Sequence, residues 1–165
     1  MRPDGLHVQL EAISPDLETG LVVQIQDLLS NVPQTGANER SRIARFGWDY
    51  TPNKQWLGDA PDWVYVPGIA KSYESVTINE YHAGHGIGAH IDSEDFDEPI
   101  LILSLNTDGT MLFESTTNDC LFLNVPRRTL LTLKGDARYK WTHAVTGQHK
   151  NIRYSIVARR RLTDK

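Results

Sequence analysis

Apolar positions in the first thirty residues recur at helical spacing. Leu17, Leu21, Val22, Ile25, Leu28 and Leu29 fall on one stripe. Ser14 suits the cap of that helix and Pro15 its first position, and Asp16 and Glu18 sit favourably near its positive end. Gly20 weakens the helix modestly. The stripe is expected to pack on a sheet. From residue 75 the period changes to two. Residues 75–81 alternate, with Val76 and Ile78 on one face and Thr77, Asn79 and Tyr81 on the other. Gly84, Gly86 and Gly88 mark a turn or a closely approached backbone. Residues 99–105 (PILILSL) read as a buried strand, and 110–114, 121–125, 129–134, 139–145 and 153–159 as further short strands. Many short strands at regular spacing indicate a sandwich or barrel. The expected fold is mainly β (α+β): a double-stranded β-helix, or jelly-roll, with N-terminal helical support.

Residues 31–74 change this picture. They are rich in Pro, Gly, Asn and Asp and carry Phe46, Trp48, Tyr50, Trp56, Trp63, Tyr65 and Tyr73. These rings suit either a satellite core under a long loop or a lid that sandwiches a planar substrate. The expected organisation is one domain over 1–165, with the helix and aromatic lid region in 1–74 and the jelly-roll core in 75–161. At 165 residues, 23% charged and 39% hydrophobic, the composition is that of a globular chain.

The formal net charge of −4 gives no global support for polynucleotide binding. Local clusters remain: Arg40, Arg42 and Arg45; Arg127, Arg128, Lys134, Arg138 and Lys140; Arg159, Arg160 and Arg161. They are either solvated strand ends or a phosphate-contacting rim. The single cysteine, Cys120, excludes an internal disulfide, and its apolar run (CLFL) predicts a buried, inert thiol. No apolar stretch has the length of a membrane span, and the N-terminus lacks the apolar core of a signal peptide. A cytoplasmic monomer is the default expectation.

The candidate chemistry lies in the β half. His90 and Asp92 are two residues apart, which on a strand turns both side chains to one face, about 6–7 Å apart along the backbone, with Ile91 in the opposite layer. His143 is a distant third candidate, because jelly-roll strands far apart in sequence meet at one mouth. His82 and His85 lack a carboxylate at a two-residue step on a strand, and His7 and His149 lack supporting partners. Two imidazoles and one carboxylate form the facial ligand set of a non-haem iron(II) oxygenase. Arg153 and Arg159 share a face of the last strand, with backbones about 20 Å apart if it is straight. They supply charged forks for the carboxylates of a dicarboxylate co-substrate. Asn79 and Tyr81 add neutral hydrogen-bond partners.

Asn79-Glu80-Tyr81, His90-Ile91-Asp92, His143 and Arg153…Arg159, with the flanking runs YHAGHGIGAHID, PRRTLLTLKGDARYKWTHAV and IRYSIVARR, resemble the AlkB family of Fe(II)/2-oxoglutarate dioxygenases. The likeness spans about residues 42–161 and is greatest to homologues that include tRNA-modifying members. It implies that His90, Asp92 and His143 bind Fe(II), and that Asn79, Tyr81, Arg153 and Arg159 form the 2-oxoglutarate site, Arg153 holding the distal carboxylate. O2 would complete the co-substrates. Ser155, Val157 and Ala158 depart from the pattern of the DNA-repair members, and the region before the N-x-Y strand is short. The resemblance implies oxidative demethylation of N-alkylated bases in DNA or RNA, releasing formaldehyde and succinate. Trp48, Tyr50, Tyr65 and Trp141 are candidate stacking rings, and Glu94 is a candidate partner for an exocyclic amine. The alternatives are hydroxylation of a modified tRNA uridine, a protein side chain or a small metabolite, and a non-enzymatic binding module.

Overall fold

The computed structural model describes residues 1–33, 41–50 and 53–163. Arg40 lies outside them. Among the described residues, ten strands form two antiparallel sheets. The strands are β1 (Leu6–Gln9), β2 (Ile43–Gly47), β3 (Ser75–Tyr81), β4 (Ile87–His90), β5 (Phe96–Leu105), β6 (Gly109–Ser115), β7 (Cys120–Val125), β8 (Leu130–Leu133), β9 (Trp141–Val145) and β10 (Arg153–Arg161). The larger sheet has the order β1-β8-β5-β10-β3-β2 and the smaller β4-β9-β6-β7. The expected jelly-roll is therefore the observed architecture. Helices α1 (Pro15–Leu29) and α2 (Gly135–Tyr139) complete it.

Two apolar cores flank the larger sheet. Outside it, Leu21, Ile25 and Leu29 of α1 pack on Val76, Ile78, Leu103, Leu105 and Ile156. Between the sheets, Ile100, Ile102, Leu131, Leu133 and Val157 meet Met111, Phe113, Val125 and Val145. Strict alternation assigns each residue to a core. On β10, Tyr154, Ile156 and Ala158 face the helix, and Arg153, Ser155, Val157 and Arg159 face the space between the sheets. Ser14 caps α1 by accepting from the Leu17 N–H at 3.1 Å.

Several expectations need correction. β1 and β2 extend the larger sheet from segments that carried no strand expectation. Phe46, Trp63, Tyr65 and Tyr73 pack on the helix-side core. Cys120 is exposed. It begins β7, the edge strand of the smaller sheet, where Cys120 and Phe122 turn to solvent while Leu121 and Leu123 turn inward. The cluster around residues 127–140 is not a free basic rim. Arg127 and Arg128 reach Glu18, Lys140 pairs with Asp136, and Arg138 is buried.

Glu18 is only 1% exposed. It accepts from Arg127 at 2.8 Å, Arg128 at 3.0 Å and the Asn106 N–H at 3.0 Å, tying α1 to the loops of the larger sheet. Burial alone would raise its pKa, but these donors outweigh burial and hold it below the ordinary value. Its stabilisation is therefore complete above the unfolded carboxylate's pKa and is lost as pH falls through the lower folded value. Glu18→Ala should lower the unfolding free energy by about 2 kcal/mol in urea titrations at neutral pH. Glu18→Gln should flatten the acid limb of stability against pH.

Candidate metal centre and co-substrate pocket

The site begins with one cross-strand pair. β4 and β9 are neighbours, and His90 stands opposite His143, with ring centroids 4.4 Å apart. Gly86 permits this pairing, since a Cβ there would collide with the carbonyl oxygen of Val145. Asp92 lies two residues beyond His90, past the end of β4. Its Oδ1 is 3.4 Å from His90 Nε2 and 4.0 Å from His143 Nε2. One ligand atom from each residue lies within 4.8 Å of the others. His90 donates its Nδ1–H to the Gly88 carbonyl at 2.9 Å, which leaves Nε2 as the ligand atom.

The electrostatics suit a divalent cation. Burial pushes the His143 pKa down to about 4, so this imidazole is neutral at pH 7. Asp92, a hydrogen-bond partner, raises that of His90. Burial alone would raise the Asp92 pKa, but Arg159 foremost, with both histidines, holds it well below the carboxylate range. Arg159 grips that carboxylate, Nε to Oδ2 at 3.0 Å and Nη2 to Oδ1 at 3.4 Å, and donates Nη1 to Thr77 Oγ1 at 3.2 Å. Arg138, 2% exposed, holds the backbone of the same loop. It donates to the carbonyls of Asp92, Ser93 and Phe96 at 3.1, 2.8 and 2.8 Å.

Beside the triad lies a cavity of about 340 Å³. Arg153 is fully buried in its wall. Its Nε and Nη2 donate to Ser104 Oγ at 3.2 and 2.5 Å, and its Nη1 has no protein partner. A Cβ on Gly109 would come within 3.3 Å of Arg153 Cδ, so glycine keeps room for the guanidinium. Burial lowers the Arg153 pKa to about 10, which still leaves it charged at neutral pH. Asn79 donates to Ser155 Oγ at 3.1 Å, and Tyr81 lines the same cavity. Burial pushes Tyr81 up to about 12, so it stays a neutral phenol. A buried cation with one unpartnered arm, beside a phenol and an amide, fits the carboxylate of a bound dicarboxylate.

The structure thus brings together His90, Asp92, His143, Asn79, Tyr81, Arg153 and Arg159 around one cavity. Arg159 is set against Asp92, whereas Arg153 lies against Ser104. Of the expected substrate rings, Tyr50 lines this cavity. Trp141 does not; it is buried in the core between the sheets. Tyr65 packs on the helix-side core and lines a separate groove with Asp62 and Lys71. Trp48 and Glu94 line an adjoining cavity that shares Phe96 with the first. Ile91 is not in an opposite layer: it is 40% exposed on the cavity rim. The strand ends at His90, so strict alternation no longer governs Ile91. Sequence reasoning passed over Thr77, Ser104, Gly109 and Arg138, whose roles depend on partners remote along the chain.

Arg159→Gln should weaken binding of Mn(II) or Co(II) about 10- to 100-fold in calorimetric titration, because it releases the ligand carboxylate. Metal affinity should also fall as pH falls through the neutral range. His90, with its raised pKa, protonates before His143 and must lose its proton to bind.

A family model described as the 2OG-Fe(II) oxygenase superfamily matches residues 27–163. The tRNA (carboxymethyluridine(34)-5-O)-methyltransferase ALKBH8 of Macaca fascicularis is 31% identical over 163 residues, covering 87% of this chain and 24% of that protein. The Alkylated DNA repair protein ALKBH8 homolog of Arabidopsis thaliana is 29% identical over 173 residues, covering 79% of this chain and 49% of that one. The chain thus spans at most half the length of these two relatives. Among solved structures, OsALKBH1 superposes with a TM-score of 0.74 at 14% identity, over 97% of this chain and 99% of that one. A prolyl hydroxylase from Trichoplax adhaerens superposes at 0.66 and 17% identity, over 94% and 83%. These two likenesses establish the fold alone. The chain, similar in sequence to these ALKBH8 proteins, belongs to the 2OG-Fe(II) oxygenase superfamily, oxidoreductases that use Fe(II), 2-oxoglutarate and O2.

Proposed function

We propose that this chain is a single catalytic domain that oxidises an alkyl substituent on a nucleobase of DNA or RNA. One observation carries the reading: the His90–Asp92–His143 cluster lines the same cavity as Arg153, whose buried Nη1 has no partner. His90, Asp92 and His143 would hold Fe(II); Arg153, with Tyr81 and Asn79, would hold 2-oxoglutarate. When bound, these groups and O2 supply an oxidant that replaces a C–H hydrogen with hydroxyl, releasing succinate and CO2.

The protein's own part is positional. Arg159 and Arg138 fix the Asp92 carboxylate and its loop, so the ligand needs little rearrangement when metal arrives. Arg153 orients the co-substrate by its far end. Ile102, Met111, Val145 and Val157 form an apolar wall that excludes water from the reacting carbon. Where that carbon sits on nitrogen, the hydroxylated product is a hemiaminal and collapses to formaldehyde and the unmethylated base. Where it sits on carbon, the alcohol is stable. The second outcome, hydroxylation of a modified uridine in tRNA, is favoured by the ALKBH8 relatives, one of which is named for carboxymethyluridine 34 of tRNA.

The test is mass spectrometry of alkylated DNA and tRNA after aerobic incubation with Fe(II) and 2-oxoglutarate. Succinate should form in step with loss of methyl or gain of one oxygen on a base; succinate without base change across the panel rejects the reading. Arg153→Gln should raise KM for 2-oxoglutarate about tenfold or more, while Mn(II) affinity stays within about twofold.

A further inference from the structure

The charges around the cavity are unbalanced. Among the described residues, its lining contains three guanidiniums, Arg45, Arg153 and Arg159, against one carboxylate, Asp92. An iron dication and a 2-oxoglutarate dianion cancel, so loading the site as proposed above leaves this positive surplus in place. Arg153 and Arg159 are spoken for, by Ser104 and the co-substrate pocket in one case and by Asp92 in the other. Arg45 is not. It sits on β2 opposite Thr77 in register, exposed at the mouth. Its Nε donates to the Tyr50 hydroxyl at 3.2 Å, and its guanidinium carbon lies 5.3 Å from the centroid of that ring. No carboxylate pairs with it among the described residues.

Much of the rest of the mouth is apolar, with Ser93 beside it. Ile87 and Ile91 are 41% and 40% exposed there, and Ile43 lines the same edge. Such a rim accepts a flat ring of any base; the carboxylates of Asp49, Glu94 and Asp95 line the adjoining cavity and not this one, so within it a cationic ring meets no carboxylate but Asp92. The Tyr50 ring already has Arg159 at 5.4 Å as well as Arg45. It is therefore a poor cation–π partner for a third positive group.

We propose that Arg45 is the specificity-determining residue of the mouth: it binds an anionic oxygen group of the substrate, and the cavity rejects cationic, N-alkylated bases in favour of neutral or anionic ones. The anionic group is either a phosphate of the target nucleotide or a carboxylate carried on its base. This rests on the oxygenase reading above and narrows its substrate class.

Binding rather than turnover tests it, using the full chain loaded anaerobically with Fe(II) and 2-oxoglutarate. The probes are N6-methyladenosine and 1-methyladenosine, which are isomers of neutral and positive charge, each as nucleoside and 5′-monophosphate. 5-Carboxymethyluridine nucleoside is the carboxylate probe. Wild type should prefer the neutral isomer by about tenfold or more. Either the 5′-phosphate or the base carboxylate should add affinity that Arg45→Gln abolishes, and which of the two does so identifies the source of the anion. Equal or tighter binding of 1-methyladenosine overturns the proposal. So does an Arg45→Gln variant whose affinities all stay within twofold, or a wild type that binds none of the probes. The visible charge-transfer band formed when iron and a 2-oxo acid bind together separates the two readings. If it forms without nucleotide discrimination, only this inference falls; if it never forms, the reading of the site falls with it.

Discussion

A carboxylate buried between two imidazoles must have a cation against it, or it takes up a proton and ceases to be a ligand. Here that cation is Arg159, itself buried, so each charge makes the other tolerable. Because Arg159 stands on β10, the pairing links the mouth of the site to a central strand of the larger sheet. β10 is held on both edges, by β3 and β5. A one-residue slip would turn Arg153, Ser155 and Arg159 into the helix-side core and Tyr154 and Ile156 into the cavity. Arg153, Ser155 and Arg159, on the face they share with Val157, thus act as a register lock as well as a candidate site.

Much of this was legible in the sequence because it depends on period. The alternation over residues 75–81 separated Val76 and Ile78 from Thr77, Asn79 and Tyr81, and the two sets do face different cores. The helical stripe, its Ser14 cap and the even spacing of Arg153 and Arg159 are of the same kind. Each is a local pattern whose physical meaning does not wait for a distant partner. Glu18 was legible only in part. Its place near the start of a helix suggested a dipole interaction, whereas its burial and three donors come from loops far along the chain.

What escaped has the complementary character. β1 and β2 are short edge strands of the larger sheet, and neither segment carries the apolar run or clean alternation that marks the central strands. Arg138 looked like one member of a basic cluster. Its role comes from α2, a five-residue helix that turns it onto three carbonyls of the Asp92 loop. Cys120 looked buried because four apolar residues follow one another. On an edge strand such a run is split between two faces. In each case the deciding neighbour is tens of residues away, so composition alone pointed to the wrong surroundings.

The two halves of the site therefore differ in how they are constrained. The polar groups deep in the cavity sit on β3, β9 and β10 or are gripped from them, in buried registers where a changed residue leaves a charge unpaired. The groups facing outward, Arg45 and Ile43 on edge strand β2 and Ile87 and Ile91 near β4, are half-buried or exposed. Substitutions there cost little stability, so the mouth can change without disturbing the chemistry behind it. A backbone likeness to OsALKBH1 at 14% identity is what such a division allows. It carries the sheet order alone, and leaves the side chains along that edge free to differ, since the fold places almost no demand on their identity.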